Sequence, residues 1–103
     1  MPEVYTTGSW RPFEGQDEAF LREWRVFMEW AASLPGAGRG VLARDVRDPG
    51  RYVSFMAWED LESVRAWKGS EEFKPRMSRV QAHIDEFTPT EIEVVAVVRP
   101  PGS

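Results

Sequence analysis

The chain has 103 residues and a formal net charge of −4, which together predict one small acidic domain. Its 13 basic residues are scattered along the chain, which argues against nucleic acid as a partner. It has no cysteine, so disulfides, thiolate nucleophiles and cysteine-ligated metals are excluded, and His83 is its one histidine. No apolar run is long enough to span a membrane and the first residues lack a signal-peptide pattern, so we expect a soluble cytoplasmic protein.

The first half of the chain predicts a strand, a helix and a strand pair. Residues 3–10 are rich in β-branched and aromatic types and predict the first strand. Residues 17–34 carry apolar side chains on one face at helical spacing, and Pro35-Gly36 ends this helix. Residues 39–46 and 51–58 predict two strands joined by a tight Arg-Asp-Pro-Gly connection.

The second half predicts two short helices and a last strand. Residues 60–68 predict a helix capped by Asp60 and ended by a glycine. A second helix is expected to begin near Lys74 and to repeat Phe73, Met77, Val80 and Ile84 on one face. Residues 91–98 (EIEVVAVV) predict the last strand, and the tail 99–103 is expected to be flexible.

This order of elements predicts an α+β fold: a ferredoxin-like split βαβ domain with a four-stranded antiparallel sheet and both helical regions on one face. A single such domain is expected over residues 1–103, with a core of about 3–98. The strands predicted at 51–58 and 91–98 are apolar on both faces, which is typical of strands buried on both sides. One chain has helices for one face only. We therefore expect a homodimer with the two sheets packed back to back.

The chain resembles the antibiotic biosynthesis monooxygenase family of dimeric α+β barrels. Three stretches carry the resemblance, GQDEAFLREWRVFMEWAASLPGAG, RDVRDPGRYVSFMAWEDLESVRAWKGSEEF and TPTEIEVVAVV, and the resemblance extends from roughly Tyr5 to Val98. It implies a small aromatic substrate and cofactor-free oxidation of a polyketide-type anthrone or phenol by O2. Other members of the fold degrade haem, cyclise polyketides or have no established activity, so a non-catalytic small-molecule-binding protein is an alternative.

The haem-degrading alternative is disfavoured at two positions. By this resemblance, the iron-ligating histidine of those relatives falls at Met77, and their first-strand asparagine falls among Thr6, Thr7 and Gly8. The expected cofactor is therefore none, and no metal site is predicted.

Two candidate catalytic residues remain, Trp67 and His83. Leu61, Val64 and Trp67 follow one another at i, i+3 and i+6, so Trp67 drifts to the edge of the buried helix face, where it can border a cavity or serve as an ordinary core aromatic. In the resembling monooxygenases a tryptophan here lines the active pocket. His83 is expected at the edge of its helix, where it can accept a proton near neutral pH or lie partly exposed.

Further side chains are candidates for a substrate pocket. Trp58, Trp67 and Phe73 lie on three successive elements that can converge on one cavity. The full set of predicted pocket residues is Trp24, Tyr52, Trp58, Ser63, Phe73 and Met77. Tyr5 and Ser54 are two more groups that can bind a phenol or an oxyanion, although each is an ordinary strand residue in most proteins.

Overall fold

The computed structural model describes residues 3–102, which form one antiparallel sheet and three helices. The elements are β1 (Val4–Pro12), α1 (Asp17–Ala32), β2 (Ala37–Arg44), β3 (Tyr52–Trp58), α2 (Leu61–Lys68), α3 (Phe73–Gln81) and β4 (Ile84–Glu93). The strand order is β2-β3-β1-β4, and every neighbouring pair is antiparallel. This is the predicted ferredoxin-like α+β fold, which is confirmed.

Local sequence signals explain where the helices begin and end. The Asp60 carboxylate accepts a hydrogen bond from the Ser63 backbone N–H at 2.8 Å and so caps α2. Gly36 takes a φ of +83° in the turn from α1 to β2, a backbone conformation that favours glycine. Pro75 is the third residue of α3, in the first turn, where backbone N–H groups have no partner within the helix.

Alternation along the central strands separates a covered face of the sheet from an open one. On β1 the residues at even positions are buried, and they include Val4, Thr6 and Trp10. Tyr52, Met56 and Trp58 of β3 point to the same side. All three helices pack on this side, and between them they add the buried residues Phe20, Phe27, Ala31, Val64, Trp67, Met77 and Val80. The hydrophobic core therefore lies between the helices and one sheet face.

The C-terminal part of the fold differs from the prediction. α3 ends at Gln81, so Ile84 is the first residue of β4 and is not helical, and β4 covers residues 84–93 rather than 91–98. Residues 94–98 have no strand assignment, and Val95, Val97 and Val98 are 90%, 65% and 93% exposed. The prediction was wrong because it followed β propensity alone. Pairing with β1 instead selects the segment that includes Thr88 and Pro89.

The open face of the sheet carries apolar side chains that nothing within residues 3–102 covers. Phe55 of β3 is 41% exposed and Ile92 of β4 is 45% exposed. Tyr5, Thr7 and Ser9 of β1 lie on the same face and are only partly buried. The apolar character predicted for this face is present on β3. On β4, Ile92 is the one residue of the predicted apolar run that lies within the strand, because the strand ends at Glu93.

Candidate active-site cavity

A cavity of about 250 Å³ lies between the sheet and the three helices. Aromatic and methionine side chains form most of its wall: Trp10, Phe27, Met28, Met56, Trp67, Phe73, Met77 and Phe87. For scale, an engineered dry cavity of about 150 Å³ holds one benzene ring, and pockets for drug-sized ligands begin near about 300 Å³. The volume therefore suits a planar molecule of two or three fused rings.

Trp67 forms the inner wall of the cavity and is held by other aromatic rings. Its ring stacks on Trp58 with centroids 4.9 Å apart, and Phe73 meets it edge-on at 5.2 Å. Only 5% of Trp67 is exposed, and no group within residues 3–102 accepts a hydrogen bond from its indole N–H. A buried donor without an acceptor costs about 1–3 kcal/mol, a penalty that a ligand oxygen at this position would relieve.

Two hydroxyl groups lie on the sheet side of the cavity. Thr6 of β1 accepts a hydrogen bond from the Trp58 indole N–H at 3.1 Å, and Ser54 of β3 accepts one from the Trp10 indole N–H at 2.9 Å. Both hydroxyl residues line the cavity and are 7% exposed. The sheet side thus carries these two buried hydroxyl groups, beside the partly buried Thr7, in a wall that is largely apolar.

Lys68 and Gln81 supply the polar groups nearest the outside. The Lys68 ammonium is 2.9 Å from the Glu91 carboxylate, so its charge is balanced by β4. Within the described part of the chain, Lys68 is the one charged side chain that lines the cavity, and no carboxylate or imidazole lines it. A proton leaving a bound ligand would therefore pass to water rather than to an acid–base residue of the cavity wall.

Three of the residues predicted for the site line this cavity: Trp67, Phe73 and Met77. Trp58 lies one layer behind them, with its ring against Trp67 and its N–H on Thr6. Trp24 is partly buried on α1 and is not among the lining residues. The roles assigned to all five side chains stay predictions.

Tyr52, Ser63 and His83 lie elsewhere. The Tyr52 hydroxyl donates to Asp17 at 2.6 Å and accepts from Arg44 at 3.2 Å, and burial followed by the Asp17 contact raises its pKa. Ser63 donates to the Asp60 carboxylate at 2.8 Å, beside a second groove between α1 and α2.

His83 lies in the turn between α3 and β4 and not on a helix, which corrects its predicted placement. Its Nδ1 is 2.8 Å from the Gln16 side-chain oxygen at the exposed surface. The catalytic assignment of His83 stays a prediction, and the fact that His83 is not among the lining residues counts against it.

Several lining residues were not foreseen from the sequence, among them Thr6, Trp10, Met56, Lys68 and Phe87. Alternation on β1 and β3 was a usable signal, because it places Thr6 and Trp10 on the same face as Met56. Phe87 was missed because its segment was not predicted to be a strand.

The family model for antibiotic biosynthesis monooxygenase matches residues 4–76, from β1 into α3. The chain belongs to this family. No curated protein matches the sequence. The match confirms the resemblance that the sequence suggested.

Solved structures agree with the fold. SnoaB, a cofactor-independent oxygenase from Streptomyces nogalater, superposes with a TM-score of 0.79 at 21% identity, covering 98% of this chain and 99% of its own. An antibiotic biosynthesis monooxygenase superposes at 0.73 and 20% identity, covering 92% and 99%. A conserved protein from Methanosarcina mazei Go1 superposes at 0.80 and 14% identity, covering 89% and 92%. At these identities the structures establish the fold alone.

The lining residues do not fit the ligand set of a haem or metal site. Met77 lies in the wall at the position where the resemblance places a haem-ligating histidine, and no imidazole or thiolate lines the cavity within residues 3–102. No group of three or more His, Cys, Asp or Glu side chains in the same range is placed to hold a metal ion. Among the described helices, none is long and apolar enough to cross a membrane.

Proposed function

We propose that this protein is a cofactor-independent monooxygenase that oxidises a small fused-ring aromatic, of the anthrone or phenol class, with O2. The observation that carries the proposal is the buried indole N–H of Trp67, which has no acceptor within residues 3–102 and belongs to the wall of an aromatic cavity. Family membership supports the same reaction class.

The chemistry requires little of the protein. An anthrone methylene flanked by two rings loses a proton to give an enolate, whose charge lies mainly on the ketone oxygen. The carbanion form donates electrons to O2, and the methylene carbon becomes a carbonyl. One oxygen atom enters the product and the other leaves as water with the two methylene hydrogens. All four electrons come from the substrate, so no reductant is needed.

The residues of the cavity serve this reaction by stabilising the enolate. A donor held in a dry, low-dielectric cavity stabilises a developing oxyanion far more than water does, and removing one such donor typically lowers kcat by about 10²–10³-fold. In this proposal Trp67, which lines the cavity and has no acceptor for its indole N–H within residues 3–102, acts as this donor. Phe73 and Met77 shape the wall that holds the flat rings and excludes water.

We also propose that the protein works as a homodimer, as its sequence suggests. The open sheet face carries Phe55 and Ile92, which residues 3–102 leave uncovered, and Val95, Val97 and Val98 after β4 are exposed as well. A second copy related by a two-fold axis would present the same surface and bury both.

Oxygen uptake with anthrone tests the proposed reaction. The wild-type protein, treated with a chelator, should consume O2 faster than the buffer reaction, and Trp67→Phe should lower the rate by about 10²-fold. Trp30→Phe is the matched control, because Trp30 lies outside the cavity. Tight anthrone binding without oxygen uptake would instead identify a binding protein. The described cavity wall is compatible with this alternative, because it contains no carboxylate or imidazole that could act as a catalytic base.

A further inference from the structure

The two central strands carry the same short pattern, a hydroxyl residue four positions before a tryptophan. On β1 the pair is Thr6 and Trp10, and on β3 it is Ser54 and Trp58. The strands run antiparallel with Thr6 opposite Met56 and Trp10 opposite Tyr52. Each tryptophan therefore reaches diagonally across to the hydroxyl of the other strand, and the two hydrogen bonds form a nearly symmetric pair.

These hydrogen bonds orient the hydroxyl groups and leave their protons available. A hydroxyl offers one O–H donor and two acceptor lone pairs. Thr6 and Ser54 each use a lone pair on an indole N–H, and no acceptor for either hydroxyl proton is found within residues 3–102. Because both residues are buried and both line the cavity, an occupant is the natural acceptor for these two protons.

Gly8 shows that the surrounding backbone is built around this arrangement. It lies between Thr6 and Trp10 on the covered face of β1 and opposite Ser54 in the register. A Cβ at this position would stand 2.7 Å from the Trp10 indole nitrogen and 3.0 Å from the Ser54 hydroxyl oxygen. The absence of a side chain at residue 8 is therefore what allows the Trp10–Ser54 hydrogen bond to form.

We propose that Thr6 and Ser54 are a paired hydrogen-bond donor that recognises the oxygenated edge of the substrate and turns it toward the sheet. The ligand class is then a fused-ring ketone or phenol whose oxygen accepts from Thr6 and Ser54 on the β1–β3 side and, once it is the enolate oxygen, from the Trp67 indole N–H as well. Its rings pack against Phe27 and Phe73. A hydrocarbon of the same shape leaves both hydroxyl protons unsatisfied and binds less well. This inference rests on the proposed function for its substrate class, and its test is one of binding rather than turnover.

The binding test compares anthrone with 9,10-dihydroanthracene, which has the same three rings and lacks the ketone oxygen. Tryptophan fluorescence under anaerobic conditions gives both dissociation constants without turnover. The dissociation constant of the wild-type protein for anthrone should be lower than that for dihydroanthracene by about tenfold or more, which is the effect expected of two modest hydrogen bonds. In the double variant Thr6→Val with Ser54→Ala, that preference should fall to within about threefold of unity, while the affinity for dihydroanthracene changes little.

The matched control is Thr90→Val with Ser78→Ala, which removes the same two hydroxyls from exposed positions that do not line the cavity. It should keep the wild-type preference. An equal loss of affinity for both ligands in the cavity variant would indicate a purely structural role and overturn the inference. A wild-type preference below about threefold would overturn it as well, whether or not the variants fold.

A second measurement uses the sign of a ligand pKa shift. An apolar cavity raises the pKa of a bound phenol, whereas hydrogen-bond donors lower it. Bound 2-naphthol should therefore ionise at a lower pH in the wild-type protein than in the cavity variant, with Lys68 present in both. Identical naphthol titrations in the two proteins would contradict the inference. If anthrone preference is intact but oxygen uptake is absent, the oxygenase proposal fails and the recognition inference stands.

Discussion

Replacing Gly8 with alanine should destabilise the protein strongly, although its backbone conformation accepts alanine. Gly8 is not among the glycines with positive φ, so the effect comes from space alone. The new Cβ would lie 2.7 Å from the Trp10 indole nitrogen, 2.9 Å from a Phe87 ring carbon and 3.0 Å from the Ser54 hydroxyl. Trp10 and Phe87 stack with centroids 4.0 Å apart, so neither ring can retreat without disturbing the other.

The magnitude follows from three contributions. Overpacking in a well-packed core costs about 1–3 kcal/mol. Displacing Trp10 from Ser54 leaves a buried indole N–H unpaired at a cost of about 1–3 kcal/mol. The reduced entropy of the unfolded chain offsets about 0.4–1 kcal/mol. The expected loss in the free energy of unfolding is about 3 kcal/mol.

Urea denaturation followed by tryptophan fluorescence measures this loss, and Gly40→Ala is the matched control. At Gly40 the nearest atom to an added Cβ is a Met28 methyl carbon at 3.6 Å, which is an ordinary contact. The control should change stability by less than about 1 kcal/mol. If Gly8→Ala lowers the free energy of unfolding no more than Gly40→Ala does, then a side chain at residue 8 does not disrupt the Trp10–Ser54 hydrogen bond and the reasoning is wrong.

Three further predictions concern alkaline stability, assembly and the lone histidine. The pKa values of Tyr5 and Tyr52 are raised, by the Glu3 charge and by burial respectively, so the folded state favours both neutral phenols. The two phenols contribute their full stabilisation below pH ~10, and this contribution is lost as the pH rises through their pKa values in the folded state. Urea denaturation at pH 9–12 should therefore show a falling free energy of unfolding. A free energy of unfolding that does not change over this range would refute the prediction. Changing Phe55 and Ile92 together to glutamate should convert the dimer into a folded monomer, as measured by sedimentation. If the wild-type protein itself sediments as a monomer, the dimer proposal is wrong. His83→Ala should keep anthrone oxidation within about twofold, because His83 lies outside the cavity, and a tenfold fall would restore its predicted catalytic role.

The part of the fold that the sequence predicts well is the part where local signals agree. The apolar stripe of α1, the Pro35-Gly36 stop and the Asp60 cap each determine an element boundary through nearby residues alone. The last strand could not be placed in this way. Residues 94–98 have the stronger β propensity, yet the pairing with β1 selects the segment from Ile84 to Glu93.

Pro89 illustrates why that pairing was hard to foresee. Thr88-Pro89 suggests a break, because proline cannot donate to a ladder. In the structure β4 is an edge strand, and Pro89 lies opposite Gly8 within it. An edge strand tolerates proline where the missing N–H would face outward, and the edge position is a property of the whole sheet.

The candidate site was predictable where it depends on helix geometry and not where it depends on register. The spacing from Leu61 to Trp67 places Trp67 at the edge of its helix face, and it does line the cavity. In the sequence Ser54 is one of several polar groups that can bind a phenol, and Thr6 is not a candidate pocket residue. They form a pair because Trp58 donates a hydrogen bond to Thr6 and Trp10 donates one to Ser54 on the neighbouring strand. These contacts depend on the strand register, which no local sequence pattern reveals.

The most direct test of the proposed monooxygenase reaction follows the two atoms of O2. Anthrone is oxidised by the chelator-treated protein under ¹⁸O2 in ordinary water, and the product quinone is analysed by mass spectrometry. One ¹⁸O atom should appear in each product molecule, with one O2 consumed and the rate well above that of buffer. Product oxygen that comes from water, or oxygen uptake no faster than in buffer, would contradict the account.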